Sequence, residues 1–301
     1  MSDTHVTLQR VVVRMLYDRP FAEAVFADPQ TALQGPLCSV QLPEEAVGWL
    51  TAIDRRAFTT DPLRRTRSLT ALLDEYPVAG AWVISARGAS GGILGGAALD
   101  SFFSSPAFHR CIQHRGVLAL AFGTWLRLWS PLEGAEGTAL RALVDLELAF
   151  ARLRRAQPRA VQDGALYQCS PLVQPLTLAG GGLQLYSAVK AALDALGAEA
   201  MTAVLKGQFP RPATPALDRA QPEYLLVEGR WPEDNGAGPE GEISLSLGGG
   251  SQALNALLDG LNEAPQNESE AISTAASAGA DEGQALELIR DLVEEGLLVR
   301  V

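Results

Sequence analysis

The spacing of apolar residues changes partway along this 301-residue chain, and that change sets its fold class. Up to about residue 156 the apolar positions recur every three or four residues, the period of a helix buried on one side. Residues 5–27 carry Leu8, Val12, Met15 and Leu16 in that register, with a second helix start at Arg19-Pro20. Further helices are expected after Pro43, after Asp61-Pro62, over 105–128 and over 137–156. Beyond Pro158 the texture is mixed. Residues 166–178 look extended but are interrupted by Pro171 and Pro175, 183–196 reads as a helix, and 201–221 is a Pro-rich connector. Residues 224–227 and 243–247 read as strands, the second alternating cleanly between apolar and polar. Three helices then follow, at about 251–262, 267–278 and 281–295. Gly296 sits just past the last of them, and 297–301 returns as a short strand. The expectation is an α+β protein. It has an all-α helical bundle over 1–160, a connecting segment over 161–222, and a small β-β-α-α-α-β domain over 223–301.

Charge divides the chain the same way. Residues 1–160 hold 17 Arg, no Lys and 15 acids; residues 161–301 hold 7 basic residues and 20 acids. Within 223–301 only Arg230, Arg290 and Arg300 oppose sixteen acids, a net of −13. The element order of that domain is that of a winged helix. A winged helix that grips DNA, however, needs Lys and Arg to displace counterions from phosphates. This one would repel the backbone, so a DNA-reading regulator is the weaker reading and a peptide the better ligand. Three scattered cysteines (Cys38, Cys111, Cys169), no basic-then-apolar N-terminal segment and no long uncharged apolar run make the cytoplasm the expected compartment.

The motifs that could carry chemistry lack their partners. Gly88-Ala89-Ser90-Gly91-Gly92 fits a nucleophile elbow, with 82–85 as the strand before it. That arrangement needs an acid and then a His well downstream, and nothing after His114 can act as the base. Nor does this Gly-rich segment end in the Gly-Lys-Ser/Thr of a phosphate loop. His109, Cys111 and His114 lie close in sequence, but offsets of two and five residues do not share a helix face, so a helix surface is expected rather than a metal site. The Arg groups Arg55-Arg56, Arg64-Arg65-x-Arg67 and Arg152-x-Arg154-Arg155 suit either solvated helix faces or a docking surface for an acidic protein.

Two regions carry a family resemblance. Residues 242–247 lead into Ala253-Leu254-Asn255-Ala256-Leu257-Leu258-Asp259-Gly260, and the last helix runs from Ala285-Leu286-Glu287-Leu288-Ile289-Arg290 to Glu295-Gly296-Leu297-Leu298. This resembles the PqqD-like peptide-recognition element of ribosomally synthesised peptide biosynthesis. In the N-terminal region, Asp28-Pro29, Ile53-Asp54-Arg55-Arg56, the run 67–77, Phe102-Phe103-x-Ser105-x-x-Phe108 and 143–147 are similar to partner proteins of multinuclear non-haem iron-dependent oxidative enzymes. The resemblance covers about half the chain. The Gly-rich segment 88–96 and the loop 231–241 have no counterpart in it.

The resemblance implies a partner subunit without catalytic residues, metal or cofactor of its own. Its helical half, with Arg55, Arg56, Arg64, Arg65 and Arg67, would dock on the iron enzyme in a heterodimer. Its C-terminal domain would hold the leader of a precursor peptide in a groove between an edge strand (Ile243, Leu245, Leu247) and the last helix (Leu286, Ile289, Arg290, Val293). Strand addition of this kind draws affinity from main-chain hydrogen bonds and specificity from side-chain pockets. The acidic surroundings favour a leader that carries Lys or Arg. A general protein-interaction module remains the broader alternative.

Overall fold

The computed structural model describes residues 3–34, 40–59, 62–86, 95–129, 132–157, 164–231 and 243–301. In chain order the first helices are α1 (Asp3–Tyr17), α2 (Arg19–Ala27), α3 (Pro29–Gln34), α4 (Glu44–Ala52), α5 (Arg56–Thr59), α6 (Pro62–Glu75), α7 (Pro77–Ser85) and α8 (Gly95–Asp100). After a 3₁₀ turn at Ser101–Ser104 come α9 (Pro106–Gln113), α10 (Leu118–Leu128) and α11 (Gly134–Leu153). Then follow β1 (Tyr167–Cys169), β2 (Val173–Gly180), α12 (Gly182–Asp194), α13 (Ala200–Leu205), β3 (Asp218–Arg230) and β4 (Ser244–Gly249). The chain closes with α14 (Gln252–Glu263), α15 (Glu268–Ser277), α16 (Glu282–Glu294) and β5 (Leu298–Arg300). The mixed α+β class expected from the sequence is what the structure shows. None of these helices is long and apolar enough to cross a membrane.

The chain packs as two compact units, Met1–Ser130 with Ala195–Pro210, and Pro131–Asp194 with Arg211–Val301. The boundary expected at 160 is therefore displaced. Helix α11 belongs to the second unit, and the segment expected to connect supplies β1, β2, α12 and the start of β3. The reason lies in α11, whose buried residues include Leu143, Val144, Leu146, Leu148 and Leu153. Leu146, Ala149 and Leu153 pack with Val227 of β3, and Ala142 packs with Leu178 and Leu225. Helical period alone cannot say which partner a helix will choose.

Among the described residues the first unit has helices and no strand. Val11 and Met15 of α1 pack with Phe21 and Val25 of α2 and with Val47 and Leu50 of α4. A connected set of rings joins Tyr17, Phe102, Phe103, Phe108, Phe122 and Trp125, with centroids 5.0–5.8 Å apart. Helix α7 corrects the strand expected over 82–85. Every residue from Val78 to Ile84 is buried. A helix enclosed on all sides has no polar face, so its β-branched and aromatic residues read as a strand. Ser90 lies outside the described residues. The single helix expected over 105–128 is two helices. Arg115 takes φ 52°, and Gly116 N–H returns to Cys111 O at 2.8 Å, the bond that closes a helix end.

In the second unit β2, β3 and β4 form an antiparallel sheet with β3 central, and β1 pairs with β5. One sheet face, through Leu225 and Val227, meets α11; the other, through Leu226 and Val173, joins the core made by α14, α15 and α16. The three final helices start where the sequence places them because each has a cap. The Ser251 hydroxyl accepts from Leu254 N–H, and Asn267 with Glu270 and Asp281 with Gln284 form reciprocal capping boxes. Gly296 takes φ +74° just past α16, with Leu297 N–H returning to Leu292 O at 2.8 Å. Asn255, buried, ties α14 to the sheet by donating to Leu176 O at 2.8 Å.

Candidate functional site

The two outer strands of the sheet are not equivalent. Gly229 N–H donates to Leu172 O, and Gly250 N–H donates to Tyr224 O, both at 2.7 Å. These bonds fix the alternation of the ladder. Odd-numbered residues of β3 aim their backbone groups at β2, and even-numbered ones aim theirs at β4. With Leu226 opposite Gly248 and Glu228 opposite Ser246, the backbone groups of Ser244, Ser246 and Gly248 turn inward to β3. Those of Leu245, Leu247 and Gly249 turn outward. On β2 the outward set is Val173, Pro175 and Thr177. Pro175 has no N–H to offer, and Val173 N–H is already bonded to Ser170 O at 3.0 Å. The β2 edge is therefore blunted, and among the described residues β4 is the open edge of this sheet. Most of its residues are exposed, Leu247 at 37 %.

The side chains expected to line a groove are divided between locations. Leu245 is half-buried against α11 and Val227, on the sheet face away from α14–α16. Leu247 shares that face by alternation, and Ile243, half-buried, precedes the strand. The residues of β4 that share the face of Leu226 are Ser244, Ser246 and Gly248. On α16, Ile289 is a core residue at 1 % exposure, Leu286 is half-buried, Val293 packs on the core from its margin, and Arg290 is exposed. The structure thus does not bring the leucines of β4 and Ile289 together in one groove. The missed signal was in 224–227. An unbroken apolar run marks a strand covered on both faces, so its neighbour's alternation has two meaningful sides.

A cleft of about 640 Å³ opens at the end of β3. It is lined by Ser170, Leu172 and Val173 before and in β2, by 228–231 at the end of β3, and by 295–297 after α16. Glu228 and Glu295 bring carboxylates to it, Arg230 a guanidinium and Trp231 an indole.

The arginines expected to dock are mostly engaged within the first unit. Arg55 pairs with Glu23, Arg56 with Asp54 at 2.7 Å, and Arg65 with Asp100 at 2.7 Å. Arg64 is half-buried and Arg67 exposed. The same unit exposes Trp49 at 56 % and Ile53 at 38 %, and Trp49 lines a cavity of about 390 Å³ with Leu8, Pro43 and Ala46.

The His109–Cys111 region is interior rather than surface. Cys111 is buried, and the largely buried His109 places Nε2 4.0 Å from Asp18 Oδ2, while Asp18 accepts from Arg14 Nε at 3.4 Å. Burial, reinforced by the Arg14 charge and opposed by Asp18, lowers the His109 pKa to about 4. His109 is therefore a neutral imidazole near pH 7. Among the described residues no group of three or more His, Cys, Asp or Glu side chains is placed to hold a metal ion. The chain matches no family model and no curated protein.

Proposed function

We propose that this chain is a non-catalytic partner subunit. In this reading it binds the leader of a ribosomally made precursor peptide as an added strand on β4 and presents that peptide to an iron-dependent modifying enzyme. The observation that carries the peptide-binding half is the open β4 edge beside a sheet whose other edge is blocked by Pro175. An exposed edge invites aggregation unless it is covered or used. Here it has no proline and no charged residue over Ser244–Gly249 to discourage pairing. Docking on the enzyme is assigned to the helical unit. There the exposed Trp49 and Ile53 supply apolar contact of the kind that dominates interface energetics, more than arginines already held in internal ion pairs.

The test is to look beside this chain's gene for genes of an iron-dependent enzyme and a short peptide, and to co-purify the full chain with their products, with and without the peptide, compared with Leu247→Pro. That substitution removes an outward N–H and leaves the β3–β4 bonds in place. Peptide capture should fall at least about tenfold while capture of the enzyme is unchanged. Capture of neither would end the proposal. A concentration-dependent dimer that Leu247→Pro dissolves would mean the edge pairs with a second copy instead.

A further inference from the structure

Resting on the reading of β4 as a peptide-accepting edge, we infer that the cleft at the end of β3 is a cation pocket, which selects a peptide carrying a Lys or Arg at one fixed position of the added strand.

Rows of side chains run across the sheet. On the face of Leu226 one row is Val173, Glu228 and Ser246. A peptide strand added to β4 continues that row with a residue directly beside Ser246. Strands lie about 4.8 Å apart, so this residue's backbone stands roughly 10 Å from that of Glu228, with only Ser246 between them. A serine is too short to close the path. A Lys or Arg side chain is long enough to lie over it and bring its charge to the Glu228 carboxylate; a Leu, Ser or Asp is not.

The chemistry at the far end suits that visitor. Glu228 is half-buried, Glu295 faces the same cleft from beyond α16, and neither is in an ion pair or side-chain hydrogen bond among the described residues. Glu295 also caps the carbonyl end of α16, where the helix dipole is negative and an acid is out of place for stability. That last turn carries no basic residue to neutralise it. Trp231 lines the cleft, and an indole is the side chain best suited to hold a cation. Arg230 lines it too, exposed and on the same face as Glu228, so an arriving cation displaces it toward solvent while a carboxylate would recruit it. The −13 balance of residues 223–301 draws cations to this unit rather than anions.

The experiment is selection of a randomised twelve-residue display library on the immobilised full chain, run in parallel on Leu247→Pro, Glu228→Gln and Glu295→Gln. The expected result is a set of peptides lost on Leu247→Pro and enriched for Lys or Arg at one position. Synthetic copies of those peptides should bind Glu228→Gln roughly ten- to a hundredfold more weakly than wild type, and the same peptides with Gln at that position should not distinguish the two proteins. Peptides that depend on β4 but show no preferred cation, or whose cation is indifferent to Glu228→Gln and Glu295→Gln, would overturn the cation pocket and leave the strand-addition reading standing. An enriched Asp or Glu at one position of peptides lost on Leu247→Pro would overturn the cation pocket. No peptide that depends on β4 would overturn both.

Discussion

At the scale of single residues, two positions bear a cost that can be measured. His109 is held neutral with a pKa of about 4 against about 6.5 in the unfolded chain. Between those values the unfolded state binds the proton and the folded state does not, so stability falls as pH drops from about 6.5 toward 4. Relative to His109→Gln, the wild type should lose on the order of 3 kcal/mol over that window, read from urea melts at pH 7 and pH 4. Arg115 is the non-glycine residue among those described with a left-handed backbone, at φ 52°. Arg115→Gly should therefore raise stability, by roughly 0.5–1 kcal/mol in the same assay, because only the side chain makes that conformation unfavourable. The first of these sites was not legible in the sequence, where His109 looked like a helix-surface residue. Its neighbours Arg14 and Asp18 lie some ninety residues away, and helical spacing says nothing about which faces meet. The turn at Gly296 was legible, since a glycine after the last periodic apolar residue has one common use.

At the scale of elements, local chemistry wrote most of what the structure shows. Ser251, Asn267 and Asp281 announce the three final helices, and each forms its cap. Asp281→Ala should cost about 1 kcal/mol by breaking one such box, measurable by denaturant titration. What the sequence could not show was partnership. The Pro residues at 171 and 175 weakened the case for β2, yet Pro175 is tolerated because its missing N–H points away from β3. The candidate groove suffered from the same gap. Period 2 told which residues of 243–247 share a face, but the choice of face depends on α11, and nothing local to β4 names α11. A consequence follows for β2. Pro175→Val would restore an outward N–H and create a second adhesive edge, so the variant should self-associate at concentrations where the wild type stays monodisperse, as read by light scattering.

At the scale of the whole molecule, charge narrows the function more than fold does. A mixed α+β unit can serve nucleic acid or peptide, and the acidity of 223–301 weighs against the first. Duplex DNA should show no retention of the chain even at about 50 mM salt, where counterion release would favour any real DNA binder most strongly. Salt-sensitive retention there would restore the regulator reading. The pairing of β1 with β5 carries a consequence of a different kind. Tyr167–Cys169 wait for Leu298–Arg300, so this two-stranded ribbon closes only once residue 300 has left the ribosome. A nascent chain stalled or cut short of that point would lack Leu298, a residue of the core that α14, α15 and α16 build. Quality control in the cell would meet such a fragment with that core unfinished.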